Sequence, residues 1–268
     1  MFDEMTLSIL HQLKLHGMAR SFEERIKQPQ HAGLSHEEFV GLLVQDEKTY
    51  RENRRLKRLL QNAQLKYPMA AMEDINYRQE RGLNKQVMLQ LANTQWIEQH
   101  HSVLFTGATG LGKSWLACAL GNLSARAGFS VVYHRAQRLL KSLHQARGDG
   151  SHLRMLMQLA KVRLLIIDDF LLTPLSEEER VDFLEILEDR YAAGATVITS
   201  QYPIKDWHER IGDPTIADGI CDRLFHNAYK IELRGKDSLR KPEGAATNRT
   251  SATTATNGQE DHTKSATR

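Results

Sequence analysis

Apolar residues recur along this chain in two rhythms, and the change from one to the other divides it. In the first part they fall at helical spacing. Leu7, Leu10, Leu15, Met18, Phe22 and Ile26 predict an amphipathic helix, or a helix pair interrupted near Gly17, which Pro29 and Gly33 end. Ser35 and Glu38 stand in capping-box spacing ahead of Phe39, Leu42 and Leu43, so a second helix is expected from there to about Leu65, before Pro68. The polar stretch 74–84, interrupted by Gly82, reads as a linker. Residues 85–98, with Val87, Leu91 and Trp96, read as a helix leading onward.

From Ser102 short apolar runs alternate with helical stretches, the pattern of a parallel sheet with covering helices. Strands are predicted at 103–106, 130–134, 162–167, 195–199 and 229–233. Helices are expected at 113–127, stopped by Gly128, and at 137–145 and 152–160 around a Gly148-Asp149-Gly150 loop. Others follow at 176–192, where Ser176 and Glu179 repeat the capping-box spacing, and at 203–211 and 214–228. After Arg240 the composition turns to Thr, Ala, Ser, Asn and Gly, so 241–268 is expected to be disordered. The expected division is a helical domain over 1–70, a linker and helix over 71–100, an α/β domain over 101–240, and the tail.

Composition narrows this only a little. A hydrophobic share of 41% and a charged share of 26% over 268 residues suit a soluble protein with a sizeable core. No stretch is long and apolar enough to cross a bilayer, and the start carries Asp3 and Glu4 rather than the basic residues of an export signal. A cytoplasmic protein without a membrane partner is expected. Cys118 and Cys221 lie in predicted helices without ligand spacing and read as small core residues in a reducing compartment. The twelve histidines form no metal-site spacing.

The net charge of +3 is too small to name a partner, so its placement matters. The most basic segment is 48–58, where Arg51, Arg54, Arg55, Lys57 and Arg58 surround a lone acid and Tyr50 is interleaved. Such a run fits either a solvated helix face or contact with a DNA phosphate backbone.

The sharpest chemistry lies between the first predicted strand and the helix after it: Gly107, Ala108, Thr109, Gly110, Leu111, Gly112, Lys113 and Ser114. A loop that wraps a triphosphate must turn sharply and bring backbone N–H groups to the anion with no bulky side chain between them, and the three glycines meet that demand. Lys113 would reach the β- and γ-phosphates, Ser114 would place its hydroxyl on Mg²⁺, and the helix N-terminus would add its partial positive charge. ATP and Mg²⁺ are the implied cofactors. The continuous apolar run 162–167 ends in Asp168-Asp169. A carboxylate at the tip of a central strand beside a phosphate loop can hold the Mg²⁺, which assigns Asp168, and leaves Asp169 to orient the attacking water and accept its proton. Thr199-Ser200-Gln201 ends another strand, where a small polar side chain either meets the γ-phosphate or the water, or simply makes a turn.

Together these residues resemble a family. Residues 107–114, 164–169, 197–201 and 216–224 resemble the AAA+ P-loop ATPases of the initiator and helicase-loader group. More narrowly they are similar to the IstB-type transposition helpers of insertion sequences, relatives of the DnaC-type helicase loaders. Leu13 to Ala19, the Asp-Asp pair, and 222–228 through Ile231-Glu232-Leu233 favour the helpers. The resemblance implies a central parallel sheet preceded by a small all-helical domain. It implies an ATPase in which Ser200 lies at the first sensor and Arg223 is an arginine finger reaching a neighbouring subunit's γ-phosphate, which requires an oligomer. It further implies assembly on duplex DNA and activation or targeting of a transposase; the alternative is a replicative helicase loader.

The sequence departs from the family's pattern in two places. Asp169 stands where AAA+ proteins have Glu, which implies slow or partner-stimulated hydrolysis. Little chain follows Leu233 for a helical lid, which is therefore expected to be reduced or absent, with Arg240 a candidate for part of its role. A metabolic P-loop kinase would be a monomer with a substrate pocket and would leave the basic helix unexplained.

Overall fold

The structure is a computed structural model that describes residues 2–27, 34–77 and 81–235. The expectations for Pro29, Gly33, Arg240 and 241–268 lie outside the described residues, as do 78–80 of the predicted linker.

The first apolar stretch forms a helix pair, α1 (Phe2–Gln12) and α2 (His16–Ile26). The break falls at 13–15, where Lys14 takes a left-handed φ of 58°, rather than at Gly17. Gly17 instead serves a close crossing of α2 and α3 (His36–Ala63): a Cβ there would stand 2.6 Å from Tyr50 Cβ and 2.8 Å from Glu47 Cα. The first turn of α2 has no side-chain cap of its own. Glu47 of α3 supplies one from across the crossing by accepting from the Met18 N–H at 3.0 Å. The expected capping box at Ser35 and Glu38 opens α3.

Behind α3 the chain does not hang as a free linker. Ala63, Leu65, Ala70 and Ile75 are buried in the same core as the sheet, and Arg81 is buried as well. The expected single helix over 85–98 is two, α4 (Lys85–Ala92) and α5 (Gln95–Glu98), parted by Thr94 at φ 60°.

The sheet contains β1 (Ser102–Thr106), β2 (Val131–Arg135), β3 (Leu164–Phe170), β4 (Ala195–Ser200) and β5 (Ala228–Glu232), all parallel in the order β2-β3-β4-β1-β5. Strands buried on both faces call for continuous apolar runs, and β3 has one in residues 164–167, whereas β4, buried throughout, also buries Thr196, Thr199 and Ser200. One face is covered by α6 (Lys113–Arg126), with α4, α5 and the segment after α3. The other carries α7 (Ala136–Asp149), α8 (His152–Lys161), α9 (Glu177–Arg190), α10 (Trp207–Ile211) and α11 (Pro214–Phe225).

Most ends behave as their chemistry predicts. The α9 box at Ser176 and Glu179 forms. At the end of α6, Phe129 N–H bonds Ser124 O and Gly128 N–H bonds Ala125 O, with Gly128 at φ 93°. α7 overruns the predicted Gly148-Asp149-Gly150 loop and stops only at Gly150, because buried Leu139, Leu140, Leu143 and Ala146 hold it down. β3 likewise runs through Asp168-Asp169 rather than ending before them. Among the described residues no element follows β5, and no helix is long and apolar enough to cross a membrane.

Candidate nucleotide site

The loop 107–112 leaves β1 at the end of the sheet where β4 and β3 also finish, so three strand ends converge on it. Gly107, Gly110 and Gly112 have φ of 134°, 85° and 87°, conformations that side chains resist. α6 starts at Lys113 with its N-terminal N–H groups directed at the loop. Lys113 is buried, and its ammonium donates to the carbonyls of Gly107 at 2.6 Å and Ala108 at 2.8 Å. Ala108 and Thr109 are exposed.

Asp168 is completely buried and surrounded by donors. Its Oδ1 accepts from the Thr199 hydroxyl at 2.6 Å and its Oδ2 from the Tyr133 hydroxyl at 2.6 Å. The Ser114 hydroxyl bonds the same carboxylate, and Lys66 Nζ stands 3.5 Å from Oδ2. Burial opposes ionisation, yet the bonds from Thr199, Tyr133 and Ser114 and the Lys66 charge outweigh it and hold the carboxyl below its ordinary range. Burial, and after it the bond to Asp168, drives the Tyr133 phenol upward.

Asp169 sits at a bulge: the β3–β4 register shifts between Ile167 and Phe170, and Asp169 has φ 59°. Its N–H donates to Thr199 Oγ1 at 3.0 Å, and its Oδ2 accepts from Arg135 at 2.9 Å. That bond raises the Arg135 pKa. Thr199 therefore ties both acids to β4.

Of the two readings left open for Ser200, its hydrogen bonds are those of a strand-end turn. Its hydroxyl donates to Phe170 O at 2.9 Å and accepts from Tyr202 N–H at 3.2 Å, fully buried. Neighbouring residues of a strand face opposite sides, so it is Thr199 that meets Asp168.

Arg223 is not brought to this end of the sheet. It lines a cleft of ≈ 140 Å³ with His100, Ser102, Arg190 and Asn227, beside the starts of β1 and β5. There it donates to Gly219 O at 3.0 Å and to Glu188 at 2.7 Å.

No group of three or more His, Cys, Asp or Glu suited to a metal occurs among the described residues. The donor set at the loop nevertheless fits Mg²⁺, which prefers oxygen, uses few protein ligands and takes the rest from phosphates and water. Ser114 and Asp168 offer a hydroxyl and a carboxylate in contact with each other.

The basic run occupies the exposed face of α3, around a trough of ≈ 880 Å³ lined by Tyr50, Arg54, Lys57 and Arg58. Three of its members are engaged: Lys48 pairs with Glu52 at 4.0 Å, Arg51 pairs with Glu47 at 2.6 Å, and Arg55 donates to Gly128 O at 3.2 Å. Arg54, Lys57 and Arg58 have no ion pair among the described residues.

The family model for the IstB-like ATP binding proteins matches residues 8–246. The chain belongs to that family. It is 48% identical over 236 residues to the insertion sequence ATP-binding protein y4pL of Sinorhizobium fredii, covering 88% of this chain and 96% of that one. It is 47% identical to the ATP-binding protein of insertion sequence IS1162 from Pseudomonas fluorescens, over 76% of this chain and 88% of the relative. Among solved structures, DnaI matches with a TM-score of 0.54 at 21% identity, over 69% of this chain and 93% of that one. The DnaC helicase loader matches with a TM-score of 0.51 at 17% identity, over 62% and 97%. These two likenesses show the fold alone, an α/β P-loop domain, which here follows the helical N-terminal region of α1 to α3. The family makes the chain an ATP-binding protein of the insertion-sequence type.

Sequence reasoning missed Tyr133, Thr199, Arg135 and Lys66. Thr199 lay within the predicted strand end and was one residue from the position chosen.

Proposed function

We propose that the chain is an ATP-dependent DNA-binding helper that oligomerises on duplex DNA in the cytoplasm and activates or targets the transposase of its insertion sequence. One observation carries this reading. α6 rises from the glycine loop, and its flank carries α3 with the basic face turned outward, so one helix joins the nucleotide site to the candidate DNA surface. The relatives' names as insertion sequence ATP-binding proteins supply the transposition context.

In this mechanism residues 107–114 cradle the triphosphate through backbone N–H groups, and Lys113 moves from the loop carbonyls to the β- and γ-phosphates. Ser114 and Asp168 would hold Mg²⁺, which when bound draws charge from the phosphate oxygens. Asp169, fixed by Arg135 and Thr199, orients the attacking water and takes its proton. Its side chain is one methylene shorter than glutamate, which keeps turnover slow without a partner. Ser200 buttresses the β3–β4 strand ends through Phe170 O. Arg223 of one subunit, freed from Glu188, stabilises developing charge on the phosphate held by the next. Arg51, Arg54, Arg55, Lys57 and Arg58 face the DNA backbone, with Arg54, Lys57 and Arg58 the most available.

An Arg223→Ala protein should bind ATP normally yet lose turnover and ATP-dependent assembly on duplex DNA. Turnover at the wild-type rate would remove the trans role. Purified helper added to its transposase should raise strand transfer only with ATP; equal transfer without helper would remove the transposition role.

A further inference from the structure

Helix α3 does not end in open solvent. Past its left-handed cap at Gln64, the chain lies along α6. Leu65 packs against Gly121, where an added Cβ would come within 2.9 Å of Leu65 Cδ2. Asn122 Nδ2 donates to the carbonyls of Pro68 and Ala70, each at 3.0 Å. The backbone N–H groups of Lys66 and Tyr67 face the buried Cys118 sulfur, also on α6. Between these anchors Lys66 reaches inward to 3.5 Å from Asp168 Oδ2. A residue attached to the basic helix thus ends at the carboxylate assigned to the metal.

Asp168 does not need Lys66 to satisfy its hydrogen bonds, since the hydroxyls of Thr199, Tyr133 and Ser114 already supply them. What Lys66 supplies is charge. A carboxylate taken out of water needs compensating positive charge; Lys66 is ion-paired with it at 3.5 Å, and Arg135 adds a weaker charge interaction from β2. A divalent ion at Ser114 and Asp168 brings a larger positive charge to the same place. Of the two cations, the lysine is the one able to leave: its side chain is 30% exposed and its four-carbon stem is flexible.

We propose that Lys66 is the resident counter-cation of Asp168, that metal-bound nucleotide displaces it, and that its departure re-seats residues 64–70 at the base of the basic helix. The proposal rests on the nucleotide-site reading and adds the route by which the bound state is reported to α3. Lys66 is a positioning residue here, acting through Asp168 and the chain that follows α3.

The test is a titration of the full chain with a fluorescent ATP analogue, with and without Mg²⁺, together with hydrogen exchange read over residues 64–70. In the wild-type protein, Mg²⁺ plus nucleotide should speed exchange in that segment more than nucleotide alone. Lys66→Met removes the competing charge, so the affinity gained from Mg²⁺ should grow about three- to fivefold, the scale of a partly exposed ion pair. Exchange over 64–70 should then be fast throughout and no longer respond to the metal. Lys66→Arg, which keeps the charge, should retain the wild-type ratio and response. An unchanged or smaller Mg²⁺ gain in Lys66→Met overturns the proposal, as does a wild-type segment indifferent to the metal. If the wild-type chain bound no nucleotide, the site reading would fall and this inference with it; nucleotide binding with a Lys66-independent Mg²⁺ gain would remove the inference alone.

Discussion

Replacing Gly107 by alanine should damage the protein severely, and the cost can be worked from two features of the loop. Gly107 has φ 134°, a conformation nearly closed to side-chain-bearing residues, and a Cβ there would stand 2.2 Å from the Leu233 carbonyl oxygen. Leu233 cannot simply swing away, because its N–H donates to Thr106 O at 2.7 Å and anchors the chain beyond β5. A strained backbone costs about 1–3 kcal/mol and overpacking about the same again, so Gly107→Ala should lose roughly 4 kcal/mol. In a domain of this size that is a fall of about 10 °C in Tm. Gly148→Ala is the matched control. Gly148 lies inside α7 with nothing within 4 Å of an added Cβ. That substitution should stabilise the chain by about 0.5–1 kcal/mol. Urea unfolding followed by far-UV circular dichroism measures both. The reasoning is refuted if Gly107→Ala unfolds at the wild-type midpoint, or if Gly148→Ala loses stability alongside it.

Glu47→Gln should destabilise the N-terminal helices by about 1–3 kcal/mol, since the carboxylate caps α2 through Met18 and holds Arg51 from an almost fully buried position. Burial works against its charge, but Arg51 and the α2 N–H groups hold Glu47 below its ordinary 4.5. Its contribution is therefore full above that value and lost as pH falls through the lowered one, and acid unfolding of Glu47→Gln should lack this limb. Tyr133→Phe removes one hydroxyl from Asp168 while leaving Thr199 and Ser114, so ATP·Mg²⁺ affinity should fall about ten- to a hundredfold, the equivalent of one hydrogen bond to a charged group; equilibrium dialysis at fixed Mg²⁺ would show it. Replacing Arg54 and Arg58 together by alanine should weaken duplex binding for every sequence alike and lower the slope of log affinity against log salt by about 2. An unchanged slope would place DNA elsewhere on the surface.

What could be read in the sequence was local chemistry. The glycine loop is recognisable because its backbone demands fall on adjacent residues, and the capping boxes at Ser35 and Ser176 because cap and acceptor lie three residues apart. Asp168 was legible as an acid at the end of a buried run. The rest of its surroundings comes from packing between distant segments. Tyr133 looks like any half-buried aromatic in an alternating strand until β2 pairs with β3. The choice between Thr199 and Ser200 depends on which face of β4 each occupies, and the register that pairs Phe105 with Thr199 and Thr106 with Ser200 is a tertiary fact. Lys66 falls in a short, mostly apolar stretch between the second predicted helix and Pro68 that carries no periodic pattern, and only the docking of residues 63–70 on α6 gives it a role. Thr94 and Gly148 went against expectation for a related reason. Local propensity differs by under about 1 kcal/mol at such positions, and burial of Trp96 and Ile97 on one side, and of Leu143 and Ala146 on the other, decides the outcome.

The central claim is that the glycine loop governs assembly on DNA. Duplex affinity measured with and without ATP·Mg²⁺, in the wild-type chain and in Lys113→Ala, tests it most directly. The account predicts that ATP tightens wild-type binding at least tenfold, a coupling of about 1.4 kcal/mol, and that Lys113→Ala binds equally weakly with or without nucleotide. Wild-type affinity indifferent to ATP, or a Lys113→Ala protein that still responds to it, would contradict the account.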